Sequence, residues 1–334
     1  MKKVAVIFGG SSTEREVSIH TGLSVIEAIS EDYDVHSIEI RDSYKTLSKK
    51  LFDIDIVFIA LHGGYGEDGT LQKYFEKHQI KYTGSNSTAS SIAMDKNKTK
   101  LIALKNGIPI LNWKTINYNS KYDLKEFKFP LIIKPNDGGS TIGLNYCENI
   151  SSFKKKLEKS FENSKCLMIE EYINAREISV PIVDGEVLPV IEIHPTGFLY
   201  DYDSKYKANG SSYTVPAKIK DSISRKITND ALLIYNKIGC RHYARVDFLL
   251  AKNNHYLLEI NTLPGLTSTS LVPKSANHVG LSYRKLVKSI IKYHYVSRRI
   301  YQKTTLLQHS SWPVVSSLGV KNGPNRGSIL PKKD

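Results

Sequence analysis

Ala244-Arg245-Val246-Asp247-Phe248-Leu249-Leu250, then Ala251 and the turn Lys252-Asn253-Asn254, then His255-Tyr256-Leu257-Leu258-Glu259-Ile260-Asn261, reads as a β-hairpin with its chemistry on one face. Side chains alternate along a strand, so Val246, Phe248 and Leu250 share one face, and Tyr256, Leu258 and Ile260 share a face on the partner. Joining these apolar sets fixes the register parity, because a one-residue slip would expose one of them. The opposite face then carries Arg245 and Asp247 beside Glu259 and Asn261, and a three-residue turn sets Asp247 directly across from Glu259. Opposed carboxylates on a half-buried sheet repel by roughly 0.2–1 kcal/mol, and a divalent cation reverses that sign. Two carboxylates and an amide oxygen are hard ligands that suit Mg²⁺ already carrying substrate phosphates. The plainer alternative pairs one acid with Arg245 and leaves the other to solvent. Four functional side chains on one face, running straight into Thr262-Leu263-Pro264-Gly265, favour the metal.

Outward from the hairpin, the chain alternates strands and helices. Residues 4–8 form a buried strand, Gly9-Gly10-Ser11-Ser12 a turn, and residues 13–30 a helix with Val17, Leu23, Ile26 and Ile29 near helical spacing. Ser11 with Glu14, or Thr13 with Glu16, fits a capping box at its start. Strands follow at 33–40 and 54–61, the second ending at His62-Gly63-Gly64. Strands joined by helices imply an α/β unit with a parallel sheet, whose ligands sit beyond the strands' C-terminal ends, where both Gly-Gly turns lie. The middle region reads as a helix over 89–106, a strand over 130–135, a helix over 151–163 and a strand over 166–172. Strands near 178–183 and 186–193, a polar loop over 195–216 and a helix over 222–238 lead to the hairpin, and a terminal helix ends near residue 295.

A second constellation is Lys134-Pro135-Asn136-Asp137-Gly138-Gly139-Ser140-Thr141-Ile142-Gly143. Its glycines let backbone N–H groups turn inward as an anion nest, to which Ser140 and Thr141 add hydroxyl donors. It is not a Walker A loop, since no Lys-Ser or Lys-Thr follows its last glycine. Lys134 ends an apolar strand, where a lysine must surface or meet an anion. Further polar groups stand in Met94-Asp95-Lys96, in Glu170-Glu171-Tyr172-Ile173 with Glu177 beyond, and in Ser204-Lys205-Tyr206-Lys207, inside a loop long enough to act as a lid.

Together with Glu14-Arg15-Glu16-Val17-Ser18, Leu61-His62-Gly63, Gly66-Glu67-Asp68-Gly69 and Leu263-Pro264-Gly265-Leu266-Thr267-Ser268-Thr269-Ser270-Leu271, these motifs occur in one order. Over residues 3–296 the chain closely resembles the D-alanine–D-alanine ligases of the ATP-grasp superfamily. The resemblance implies an ATP-grasp fold: a Rossmann-like N-terminal domain over 1–86, two α+β ATP-grasp subdomains over 87–176 and 177–296, and a flexible basic tail over 297–334. It also implies that Lys96, Lys134 and Lys205 contact ATP phosphates, and that Glu170, Ile173 and Glu177 line the nucleotide pocket. Asp247, Glu259 and Asn261 then hold two Mg²⁺ or Mn²⁺ ions. Glu14 grips the ammonium of the first D-alanine, His62 lies near its carboxylate, and Ser270 and Leu271 bind the carboxylate of the second. Arg245 and the Gly265 backbone form an oxyanion site, and Glu14, Ser140 and Tyr206 form a triad that closes the lid. The Lys-Tyr lid pair is absent from ligases that make depsipeptides with D-lactate, so Tyr206 favours D-alanine as second substrate. His242 stands where family members frequently have glycine.

Composition sets the remaining bounds. The 334 residues exceed what one core usually supports, and 40% hydrophobic with 24% charged residues is a globular composition. No apolar run reaches the roughly 18 residues of a membrane span. Cys147, Cys166 and Cys240 are widely spaced, so free thiols in a reducing cytoplasm are expected. The net charge of +14 is concentrated in part on residues 297–334, whose lysines and arginines face a single acid, Asp334. Nucleic-acid binding is not expected of the body, and a cytoplasmic homodimer is the family expectation. The expected activity is ATP-dependent formation of D-alanyl-D-alanine through an acyl phosphate. The alternatives are a ligase for another amino or hydroxy acid, and a nucleotide-binding homologue without turnover.

Overall fold

A computed structural model describes residues 1–41, 43–139, 143–196 and 210–300, the last eight of them by backbone alone. Met1–Val296 forms one compact unit, and Ser297–Asp334 forms a second, described only as helical backbone to residue 300. The chain runs β1 (Lys3–Gly9), α1 (Arg15–Ile29), β2 (Asp34–Ile40), α2 (Leu47–Lys50), β3 (Ile56–Ile59), α3 (Thr70–Lys77), α4 (Ser87–Met94) and α5 (Lys96–Lys105). Next come β4 (Trp113–Asn117), β5 (Leu131–Pro135), β6 (Asn145–Cys147), α6 (Ile150–Phe161), β7 (Cys166–Glu171), β8 (Arg176–Val183), β9 (Glu186–Val187), β10 (Ile191–Pro195) and β11 (Ser211–Thr214). The last elements are α7 (Asp221–Ile238), β12 (Tyr243–Ala251), β13 (Asn254–Asn261), α8 (Leu271–His278) and α9 (Tyr283–Ile300).

The described strands form three sheets. The first, in order β2-β1-β3, is parallel, as the alternation of strands and helices requires. Its central strand β1 is apolar without alternation because both faces are covered. The helix α1 buries Ser18, Thr21, Gly22, Val25 and Ile29; of the expected stripe Ile29 is buried and Ile26 packs against the same core, whereas Leu23 is 52% exposed. Small residues occupy that face because the Phe8 side chain presses on the helix: a Cβ on Gly22 would lie 2.5 Å from the Phe8 ring. Glu14 is the cap residue of α1 and makes no side-chain cap bond, so neither expected capping box forms. The second sheet, β4-β7-β5-β6, is antiparallel and packs Leu131, Ile133, Leu167 and Ile169 against Phe153 and Leu157 of α6. That helix is capped by Asn149 and Ser152 in a reciprocal capping box.

The single helix expected over 89–106 is two, broken at Asp95, whose extended backbone ends α4 and whose carboxylate accepts from the Lys98 N–H to start α5. An N-capping residue competes with helix continuation even where the flanking sequence favours a helix. The expected strand over 186–193 is likewise divided into β9 and β10.

The third sheet runs β11-β10-β8-β12-β13, with β9 paired to β8. In the hairpin, Arg245 pairs with Asn261, Val246 with Ile260 and Asp247 with Glu259, which is the expected register. The route to it differs. The turn has two residues, Lys252-Asn253, because Ala251 pairs with Asn254, and a bulge follows Asp247, so that Phe248 pairs with Leu257. The bulge absorbs the residue that the shorter turn leaves over. Leu257 therefore joins the core in place of Leu258, which turns with Leu249 to a cleft wall. His242, just before β12, has a φ of 64°, a left-handed conformation that glycine adopts more readily. Val272, Ala276, Leu286, Val287, Ile290 and Ile291 of α8 and α9 share one core with the first sheet.

Candidate active site

The ends of these sheets surround two adjoining clefts, of about 710 Å³ and about 400 Å³. Lys96, Gly138, Gly139 and Glu259 line both. The larger is also lined by Glu14, His62, Arg245, Asn261, Gly265, Ser270 and Leu271, and the smaller by Lys134, Glu170, Ile173 and Glu177. Of the expected site residues within the described parts, only Asp247 reaches neither wall. Ser140, Lys205 and Tyr206 lie outside the described residues.

Glu14 follows β1, and His62 lies just beyond β3, each near the C-terminal edge of the parallel sheet. The Glu14 carboxylate fits beneath Gly63, where an added Cβ would come within 2.8 Å of it; Gly63 also has a φ of 68°. His62 is buried between two partners, with Nε2 3.0 Å from Thr21 Oγ1 and Nδ1 3.4 Å from Glu67 Oε1. Burial pushes the Glu67 carboxyl above the usual range, opposed by the hydrogen bond with His62 and supported by the charge of Glu14. Glu67 and Thr21 were assigned no role by the sequence. The motif around Glu67 signalled the first, whereas Thr21 reads as an ordinary helix residue.

Lys96 begins α5, donates to the Gly138 carbonyl, and lies 3.7 Å from Glu259. It therefore ties the glycine loop to the hairpin. Lys134 ends up against an acid, as its strand position requires: it donates to Glu170 Oε2 at 2.5 Å. Arg245 holds Asp247 through both oxygens, with Nη2–Oδ2 at 2.8 Å, and the Ser179 hydroxyl donates to Oδ1 at 2.7 Å from the neighbouring strand β8. Asp247 is 2% exposed beneath Arg245. Asp247 thus pairs with Arg245, and Glu259 lies beside Lys96. Gly265 packs against Ser270, whose hydroxyl would lie 3.2 Å from an added Cβ, and Ser270 leads into the N-terminus of α8.

Among the described residues no group of three or more His, Cys, Asp and Glu is arranged to hold a metal. The set here is two carboxylates and one amide, with substrate phosphates needed to complete a coordination shell. The donors suit such an ion. Asp247 and Glu259 face each other in register, each already beside a cation, so an ion would share or take over carboxylate oxygens that Arg245, Ser179 and Lys96 now meet.

A Rossmann-like parallel sheet followed by two antiparallel sheets, with lysines of one region opposite an acidic hairpin of another, defines an ATP-grasp enzyme. Family models described as the D-ala D-ala ligase N-terminus and C-terminus match residues 3–53, 42–85 and 102–292. The chain belongs to the D-alanine–D-alanine ligase family. It is 39% identical over 292 residues to the D-alanine–D-alanine ligase of Syntrophotalea carbinolica, covering 87% of this chain and 95% of the relative. The corresponding ligase of Clostridium botulinum strain Loch Maree is 37% identical over 295 residues, covering 87% and 98%. The crystal structure of the Bacillus anthracis D-alanine–D-alanine ligase complexed with ATP is similar at a TM-score of 0.81 and 34% identity, with 90% of this chain and 100% of that one covered. The VanG D-Ala:D-Ser ligase of Enterococcus faecalis is similar at a TM-score of 0.75 and 28% identity, covering 88% and 99%.

Among the described residues no helix is long and apolar enough to cross a membrane.

Proposed function

We propose that the protein joins two D-alanines to D-alanyl-D-alanine with conversion of ATP to ADP and phosphate, supplying peptidoglycan synthesis. The observation that carries this reading is the adjoining pair of clefts with Lys96, Gly138, Gly139 and Glu259 on their common wall. A nucleotide in the smaller cleft points its terminal phosphate through that wall toward a carboxylate in the larger.

In this reading Leu249, Leu258 and Ile173 flank the base, Glu170 and Glu177 accept its polar hydrogens and those of the ribose, and Lys134 and Lys96 take the phosphates. Asp247, Glu259 and Asn261 would hold one or two Mg²⁺ or Mn²⁺ ions. When bound, such ions neutralise phosphate charge and draw electron density from the transferred group. Glu14 binds the ammonium of the first D-alanine, and His62, oriented by Thr21 and Glu67, stands near its carboxylate. An oxygen of that carboxylate attacks the terminal phosphorus, the bond to ADP breaks, and D-alanyl phosphate forms. The second D-alanine, its carboxylate at Ser270 and the start of α8, attacks the activated carbonyl through its amine. Arg245 and the Gly265 N–H stabilise the resulting oxyanion, and collapse expels phosphate and yields the peptide bond. The Asp247 carboxylate fixes the guanidinium plane of Arg245 at the cleft wall. Lys205 is assigned to the phosphates, and Ser140 and Tyr206 with Glu14 to closing the cleft against water, which would hydrolyse the acyl phosphate.

The reading includes a division at 1–86, 87–176 and 177–296, supported by three sheets within 3–59, 113–171 and 176–261. It also includes a cytoplasmic homodimer, which rests on family resemblance alone. Incubation with ATP, Mg²⁺ and single candidate acids (D-alanine, D-serine, D-lactate, L-alanine) tests the substrate. Phosphate release with D-alanine alone is the expected result; release that requires another acid would assign the enzyme elsewhere.

A further inference from the structure

Behind the smaller cleft lies Lys100, one helical turn beyond Lys96 on α5 and 1% exposed. The Glu170 carboxylate, itself 3% exposed, meets a lysine at each oxygen: Oε2 accepts from Lys134 at 2.5 Å, and Oε1 forms an ion pair with Lys100. Glu170 and Lys134 line the cleft, whereas Lys100 does not, so Lys100 acts on it through Glu170. Two ammoniums against one carboxylate leave this buried cluster with a surplus positive charge, a costly arrangement unless an anion completes it. Burial pulls the Lys100 ammonium below its usual range, against the attraction of Glu170. Burial favours the neutral form of Glu170 too, yet Lys100 and then Lys134 hold its carboxyl below the usual range.

The surroundings fix Lys100 in place. Lys96 N–H donates to the Asn136 carbonyl at 3.0 Å, and Asn97 N–H donates to Asn136 Oδ1 at 3.0 Å, which ties α5 to the loop after β5. The Trp113 indole N–H donates to Asn97 Oδ1 at 2.9 Å, and its ring centroid lies 5.7 Å from Lys100 Nζ. Trp113 also pairs with Glu170 across β4 and β7.

We propose that Lys100 is a positioning residue for the nucleotide: it anchors Glu170 through Oε1, so that Oε2 aims Lys134 at the phosphates. This rests on the nucleotide reading of the smaller cleft. The test measures ATP binding directly, without D-alanine, and the KM for each substrate, in the full chain carrying Lys100→Met, Lys100→Gln, Glu170→Gln, or Lys100→Met with Glu170→Gln. Lys100→Met should weaken ATP binding about tenfold and leave the D-alanine KM within about twofold. Lys100→Gln keeps a donor but no charge, should weaken ATP binding less, and decides the matter if Lys100→Met does not fold. The double variant should bind ATP no more weakly than Glu170→Gln alone, because both changes break one linkage. Unchanged ATP affinity, additive losses, or an equal rise in both KM values would overturn the proposal. An unmodified protein that binds no ATP would instead overturn the reading of the cleft itself.

Discussion

Two carboxylates opposed across a strand pair should push apart, yet Asp247 and Glu259 stand in register because each already has a cation, Arg245 for one and Lys96 for the other. The proposed metal therefore joins a site whose charge is nearly balanced, and it competes with those cations for the same oxygens. Asp247→Asn keeps the size of the side chain and removes its charge. It should lower kcat by about a hundredfold and raise the Mg²⁺ concentration needed for half-maximal phosphate release, measured by titrating the metal at saturating ATP. An unchanged Mg²⁺ dependence would remove Asp247 from the metal set. The sequence made Asp247, Glu259 and Asn261 legible because strand periodicity is local. It could not show Ser179, whose hydroxyl reaches Asp247 across 68 residues of chain, nor the burial of Lys100, which reads as one lysine in a basic helical segment.

Elements were legible where a turn or a period specifies them, and less so where two local signals cancel. The hairpin shows such cancellation: a turn one residue shorter than expected and an added bulge together preserve the pairing of Asp247 with Glu259. The pairing survives because burying Val246 and Ile260 on one face constrains the register more strongly than turn length does. The Asp184-Gly185 turn between β8 and β9 obeys the simpler rule, with φ of 54° and 81°, as a primed two-residue turn requires. Its conformation is favourable, but burial pushes the Asp184 carboxyl up to about 7. The folded state thus keeps a proton that the unfolded chain releases near the ordinary carboxylate value of 3.8. This contribution to stability is full below that lower value and is lost as pH rises through about 7. Asp184→Asn suits the turn equally well and cannot ionise, so it should stabilise the protein by roughly 1 kcal/mol at pH 8 and by little at pH 4. Urea midpoints at the two pH values check this, and an equal gain at both would show that ionisation plays no part.

At the scale of the whole molecule, the first sheet and the last helices share one core although they are far apart in the chain, and the clefts open where their ends meet the antiparallel sheets. Periodicity identified the parallel sheet, and the ordered motifs identified the family; neither revealed that α9 completes the core of β1, since such packing leaves no local pattern. The larger cleft brings residues of the parallel sheet's edge, such as Glu14 and His62, to residues of the hairpin and α8, such as Arg245 and Ser270. That arrangement suits transfer of a phosphoryl group to one amino acid and capture of the product by another within one enclosed space. The most direct test follows the oxygen atoms: D-alanine labelled with ¹⁸O in its carboxylate is turned over with unlabelled ATP and Mg²⁺, and the phosphate and dipeptide are analysed by mass spectrometry. The account predicts one ¹⁸O in the released phosphate for each D-alanyl-D-alanine formed, because the attacking carboxylate oxygen leaves with the phosphoryl group. Unlabelled phosphate, or labelled phosphate without dipeptide, would contradict it.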